Sequence, residues 1–336
     1  MVRLRTSALS APGLTRRRRG RGFSYGDVDG IPLRDADTLD RISTLAIPPA
    51  WKDVWICPWP NGHIQAIGTD DAGRRQYRYH DDWRTQRDRA KHDRVLELAQ
   101  RLPAVRETLA DHLAGRGLTR ERVLAAAVRL LDVGFFRVGG EEYADENGTY
   151  GLATLRREHV QLARGGLVFE YTAKGNQERV QAVVDDDVRR VVAALLRRKA
   201  AGEELLAYRV GREWRDVRSD DINGYLRDVA GAEMSAKDFR TWHATVLCTV
   251  ALVRADLAKS PTARKRAVAA AVREVADCLG NTPTVCRNSY IDPRAIDLYQ
   301  GGRLREVTLR TGDVPLAELA ARPDVEQAVL AMLCEV

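Results

Sequence analysis

The hydrophobic pattern changes period near residue 83, and that change restricts the folds available to the chain. Between residues 23 and 80 the apolar runs are short or alternating, and turn residues bound them. Val54-Trp55-Ile56-Cys57 is closed by Pro58 and Pro60, and Asn61-Gly62 is a hairpin signal. His63 to Gly68 alternates as a half-buried strand should, and Asp71-Ala72-Gly73 makes the turn before Arg75 to His80. These residues predict strands and turns forming a small antiparallel sheet. From Trp83 the spacing turns helical, with Val95, Leu96, Leu98, Ala99 and Leu102 on one stripe. Thr119 caps a helix that buries Val123, Leu124, Ala127, Val128 and Leu131 and ends at Gly134. The expected class is therefore α+β: a small antiparallel β domain over residues 23–85, and a larger, mainly helical domain over 86–336. Within the latter, residues 159–184 read as a small three-stranded sheet, and 314–336 as a closing helix.

Charge is placed unevenly. The chain has 336 residues and a formal net charge of +7. Arg3, Arg5, Arg16, Arg17, Arg18, Arg19 and Arg21 precede the first acid, Asp27, so residues 1–22 carry the whole excess. They read as a basic disordered tail, and any anion-binding surface on the near-neutral body must come from local arrangement. With 44% hydrophobic residues the body can bury a core, yet no apolar run approaches the roughly 20 residues of a membrane helix. No secretory signal is recognisable, because the basic run follows no apolar segment. Five scattered cysteines, none in a C-x-x-C pair, suggest neither a disulfide framework nor a zinc site. A reducing cytoplasm is the expected setting.

The chemistry-bearing residues lie where elements begin and end. A helix from Thr262 runs through Val268, Ala271, Val272, Val275, Ala276 and Leu279 to Gly280, which suits a left-handed C-cap. Thr282-Pro283 restarts a short helix and Asp292-Pro293 another. Tyr290 sits at the break between them, beside Arg287, Asn288 and Ser289, which is a polar setting for a tyrosine and a suitable one for a nucleophile. Arg137 follows the helix end at Gly134. It could grip a phosphate with both guanidinium arms, or pair with Glu141 or Glu142. Lys174 stands at a hairpin tip, where a lysine is usually only solubilising but can also reach a ligand. Ser235 with Asp238 resembles a capping box, and Lys237 and Arg240 are three apart on the first turns of that helix. Such a pair forms either a phosphate cradle or exposed cations. In Gln76-Tyr77-Arg78-Tyr79, alternation puts the tyrosines on one face and Gln76 with Arg78 on the other. The strand fits a DNA-facing edge or an ordinary aromatic ladder.

Taken together, Arg137 before a glycine pair, Lys174 in a hairpin turn, Lys-Asp-Phe-Arg-Thr-Trp-His at 237–243, Asn281, and Asn-Ser-Tyr-Ile-Asp-Pro at 288–293 resemble the type IB DNA topoisomerases, most closely the compact poxvirus-like bacterial form. The resemblance spans roughly residues 22–310. It implies that Tyr290 attacks a DNA phosphodiester to form a 3′-phosphotyrosyl link, that the freed strand swivels, and that religation follows. Arg137 and Arg240 would stabilise the transition state, and Lys174 would protonate the leaving 5′ oxygen. Gln76, Tyr77, Arg78, Tyr79 and Lys237 would contact DNA. No ATP and no essential divalent metal would be required. The partner would be duplex DNA, preferably supercoiled, held by a monomer in a C-shaped clamp hinged near residues 81–90, in the bacterial cytoplasm with the nucleoid. The family often carries histidine where this chain has Asn281, so that position can hydrogen-bond but not carry a proton. Tyrosine recombinases are the alternative. They have histidine three residues before the second arginine, where this chain has Lys237, and they carry a helical domain in place of the Gln-Tyr-x-Tyr sheet. A catalytically inactive DNA-binding relative is a third reading.

Overall fold

The structure is a computed structural model describing all residues except 1–2, 142–143, 145–147, 200–201, 256, 307–313, 320–321 and 336. The chain divides into two compact units, Met1–Lys91 and His92–Val336.

The first unit is an antiparallel five-stranded sheet in the order β2-β1-β3-β4-β5. Its strands are β1 (Leu14–Arg19), β2 (Gly22–Gly26), β3 (Lys52–Ile56), β4 (Ile64–Thr69) and β5 (Arg75–Tyr79). Helix α1 (Ala36–Thr44) adds Ile42 to a core of Leu14, Val54, Ile56 and Ala66. Two expectations are corrected here. Residues 1–22 are not a free tail: β1 pairs with β2 and with β3, and the Ser7 amide donates to His63 Nδ1 at 2.9 Å. The arginine run conceals a strand period. Leu14 turns inward, and Arg16 on the same face donates to the carbonyls of Ile47, Pro48 and Trp51. Nor are residues 23–80 only strands and turns. α1 forms because Asp35 caps it, accepting from the Thr38 amide. A short helix with one fully buried side chain leaves little periodic signal.

The second unit begins within α2 (Asp81–Ala114), whose first turns contain the residues expected to hinge. It continues with α3 (Arg120–Gly134), the sheet β6 (Val160–Ala163), β7 (Gly166–Ala173) and β8 (Gln177–Val183), then α4 (Asp186–Leu196). The hairpin β9 (Ala207–Val210) and β10 (Glu213–Asp216) precedes α5 (Ser219–Ala230), α6 (Ala236–Arg254) and α7 (Pro261–Leu279). Helices α8 (Pro283–Ser289), α9 (Pro293–Gln300), α10 (Leu316–Leu319) and α11 (Pro323–Cys334) complete it. The stretch 314–336 is thus two described helices rather than one. Pro323, which has no amide hydrogen to donate, is placed to start a helix.

Helix α6 is the centre of this unit. It is buried nearly all round, with Phe239 and Trp242 fully enclosed, and α3, α7, α9, α10 and α11 pack on it. Everything that lies at its N-terminal end is therefore held by several elements at once. All five cysteines are free. No described helix is long and apolar enough to cross a membrane.

Candidate active site

Four chain breaks converge beside the first turns of α6. The first is the end of α3, where Phe135, not glycine, takes the left-handed conformation (φ 55°). Such a residue carries backbone strain, and it turns the Phe135 carbonyl toward α6, where Arg240 Nη1 donates to it. Arg240 is only 3% exposed. Its Nη2 donates to the Leu279 carbonyl at 2.8 Å, and its Nε has no partner. Burial, and then the neighbouring Arg137 guanidinium, pull its pKa down to about 10. A guanidinium keeps its proton under ordinary conditions, so the shift expresses the cost of burying this cation beside a second one. An anion in front of it would relieve that cost.

Arg137 lies two residues beyond Phe135. Its Nη2 donates to the Gly280 carbonyl at 2.5 Å and to Asn281 Oδ1 at 2.7 Å. Burial lowers its pKa as well. Of the two carboxylates expected as its alternative partners, Glu141 instead accepts from the Ser219 amide at 2.9 Å, and Glu142 lies outside the described residues. A second chain segment fixes the arginine's backbone. The Leu152 amide donates to the Arg137 carbonyl at 2.8 Å, and a Cβ on Gly151 would come within 2.5 Å of Gly139. Only glycine allows that approach.

The third break is the end of α7. Gly280 takes φ 61°, and the Asn281 amide donates to the Ala276 carbonyl at 2.9 Å. Because Asn281 Oδ1 accepts from Arg137, its Nδ2 is the free end of the amide, buried and without a partner. The fourth break carries Tyr290. Thr282 caps α8 and accepts from the Val285 amide, and Tyr290 ends that helix with φ −130° and ψ −35°. The Asp292 amide donates to Thr245 Oγ1 of α6 at 3.0 Å, which pins the turn to the central helix. Tyr290 is half-buried, with the Arg240 guanidinium 5.4 Å from its ring centre.

A recess of about 270 Å³ brings these groups together. Arg137, Lys174, Lys237, Arg240 and Tyr290 line it, together with Val138, Gly139, Thr149, Tyr150 and Ala236. Lys174 is exposed at the tip between β7 and β8, and Lys237 is exposed on the first turn of α6. Asn281 joins the set through Arg137. Sequence reasoning alone misses Thr149 and Tyr150. The Thr149 hydroxyl is buried without a partner, a feature only the folded chain reveals. The available signal in the sequence is Gly151, whose partner glycine follows Arg137 closely.

Gln76, Tyr77, Arg78 and Tyr79 lie in the other unit, on β5. The tyrosine rings stack at 6.0 Å and are 39% and 41% exposed, so they present a surface rather than bury a ladder. Gln76 donates to Asp70 at 2.9 Å and Arg78 to the Ala46 carbonyl at 2.8 Å. Tyr77, Arg78 and Tyr79 border a hollow of about 530 Å³ with Arg41, His80 and Arg84. Among the described residues, no group of three or more His, Cys, Asp or Glu side chains is arranged to hold a metal ion.

Comparison with known proteins places the chain in a class. Residues 80–300 match the family model of the eukaryotic DNA topoisomerase I catalytic core, and residues 22–70 match that of the bacterial DNA topoisomerase IB N-terminal domain. The chain belongs to the type IB DNA topoisomerases, enzymes that change the linking of duplex DNA. It is 29% identical over 296 residues to a DNA topoisomerase 1B of Acanthamoeba polyphaga mimivirus, covering 86% of this chain and 88% of that one. It is 22% identical over 252 residues to the DNA topoisomerase 1B of Vaccinia virus, covering 73% and 75% of the two chains. A DNA topoisomerase 1 of Mycosarcoma maydis is 26% identical over 216 residues, which is 58% of this chain but 20% of the relative.

Proposed function

We propose that Tyr290 is the nucleophile of DNA relaxation and that Arg137, Lys174, Arg240 and Asn281 complete the catalytic set. The supporting observation is that one recess is lined by Tyr290, both arginines and Lys174. In the forward step, the Tyr290 phenol oxygen bonds to a backbone phosphorus and the bond from phosphorus to the 5′ oxygen breaks. Lys174 delivers the proton that the departing oxygen needs. The phenol proton leaves to solvent. Religation reverses each transfer. Charge builds on the non-bridging oxygens in the transition state, where Arg137 and Arg240 would face it already fixed in place. Asn281 Nδ2, buried and unpartnered, adds a neutral donor.

This reading needs no ATP, because the phosphodiester is exchanged for a phosphotyrosyl ester of similar energy. It needs no divalent metal, because the arginines and lysine supply the positive charge. One chain carries every group, so a monomer suffices. Torsional strain in supercoiled duplex would drive strand rotation. The exposed Tyr77–Tyr79 pair and Lys237 would hold the duplex, and a bacterial cytoplasm, at the nucleoid, would be the place of action.

The experiment is relaxation of supercoiled plasmid with EDTA present and ATP absent, comparing the native chain with Tyr290→Phe. Relaxation by the native chain and none by the variant is expected. Equal relaxation by both would remove Tyr290 from the role.

A further inference from the structure

The C-terminal helix α11 takes no part in the recess, yet one of its side chains is bonded to α6, which carries Arg240, and, through Arg106 of α2, to α3, whose end precedes Arg137. Glu326 is 5% exposed. Its Oε1 accepts from the indole Nε1 of Trp242 at 2.9 Å, and Trp242 is two residues beyond Arg240 on α6. Its Oε2 accepts from Arg106 Nη1 at 2.6 Å. Arg106 in turn grips Asp132 of α3 with two bonds, Nε to Oδ2 at 2.8 Å and Nη2 to Oδ1 at 2.7 Å. Asp132 is three residues before Phe135, the strained residue whose carbonyl receives Arg240, and five before Arg137 itself. His243 of α6 closes the loop: its Nε2 is 3.8 Å from Asp132 Oδ1, and its ring meets Phe135 edge-on at 5.1 Å.

We propose that Glu326 is a positioning residue, a carboxylate staple that sets α3 against α6 and thereby fixes the relation of Arg137 to Arg240. This rests on the reading that those two arginines act on the scissile phosphate. A stabilising role alone accounts poorly for the arrangement. A buried ion pair gains little over well-packed apolar residues of similar volume, because desolvation offsets the attraction. What the charged fork gains is direction: both oxygens accept from Arg106 of α2, Oε1 at 3.1 Å from its Nη2, while Oε1 also takes the Trp242 indole of α6, so α6 is set against the arginine that grips α3. Arg129 extends the same network, donating to Asp132 at 2.7 Å and to Asp185, the cap of α4, at 2.8 Å.

Misplacing a catalytic group by about 1 Å can cost roughly a hundredfold in rate. The test is single-turnover cleavage of a duplex that loses its 5′ fragment, at saturating enzyme, for Glu326→Ala and Glu326→Gln. Duplex affinity is measured in the Tyr290→Phe background, and the thermal midpoint of each variant is recorded. We expect Glu326→Ala to cleave about thirtyfold slower with affinity within twofold. Glu326→Gln should recover part of that loss, because its amide oxygen still accepts from Trp242. Cleavage at the native rate by either variant overturns the proposal. So does a loss that disappears when the assay is cooled well below the midpoint, since that marks stability alone. Arg240→Ala is run alongside: a native rate there would sink the assignment of the arginines, whatever Glu326 does.

Discussion

The recess at Tyr290 and the surface of β5 handle charge and apolar area in opposite ways. In the recess two guanidiniums are withdrawn from water and held by backbone carbonyls at helix ends. On β5 the large rings face outward and the polar groups, Gln76 and Arg78, are turned back onto their own unit. The recess stores the cost of orienting charge in the fold, which suits groups that must meet a transition state without rearranging. The β5 surface offers contact area and can adapt, which suits binding. The difference implies that changes in the recess alter the rate of bond cleavage, whereas changes on β5 alter occupancy.

The largest effect should follow Arg240→Ala. Loss of one fixed donor to a developing oxyanion costs about 10²–10³ in rate. Single-turnover cleavage should fall by at least about 10², while affinity for a duplex, measured with Tyr290→Phe, should change less than about threefold. A parallel loss of affinity would erase the distinction between the two regions. Asn281→Ala should be milder. Its Nδ2 would contribute one neutral hydrogen bond to the bound phosphate, worth about 1 kcal/mol, or roughly fivefold in cleavage rate. If Asn281→His instead raises the rate, the proton-carrying role that an amide cannot fill is limiting here. On β5, the double change Tyr77→Ala and Tyr79→Ala should weaken duplex binding by about threefold to tenfold, as expected for removing paired aromatic contact area. Cleavage at saturating enzyme should be unchanged, and so should the slope of affinity against salt, since no cationic group is removed. A fall in the saturated rate would show that the strand also acts on the chemical step.

The parts of the molecule legible in its sequence are those set by short-range rules. Thr119, Asp185, Gly280 and Thr282 all occupy the helix ends that their side chains or backbone favour. Because the site is assembled from such ends, most of its residues can be named from the chain alone. The parts that escape depend on distant partners. β1 forms a hairpin with the adjacent β2, but it reads as a solvated arginine run because its place in the sheet also depends on pairing with Trp55 and Ile56, some forty residues away. Nothing near Glu326 in the chain announces that it will meet Arg106 and Trp242. Thr149 reveals itself only as a buried hydroxyl left without a partner.

Acid titration tests the same contrast through stability, and here the expected effect is smallest. Asp132 is fully buried in the second unit. Burial alone would raise its pKa, but His243 and Arg106 outweigh it and hold the carboxyl well below its ordinary value of 3.8. A carboxylate depressed in the folded state contributes stability that is complete above the unfolded value and is lost as pH falls below it toward the folded one. Between about pH 5 and pH 3 the second unit should therefore lose protection in hydrogen exchange. Over the same interval the first unit, whose buried polar centre is the neutral Gln65 bonded to Arg41, should hold. Asp132→Asn should flatten the pH dependence of the second unit while lowering its stability at pH 7, because Arg106 then loses one of its two carboxylates. If both units lose protection together with the native chain, the acid response belongs to surface carboxylates such as Asp35 and Asp70, and the buried network does not govern it.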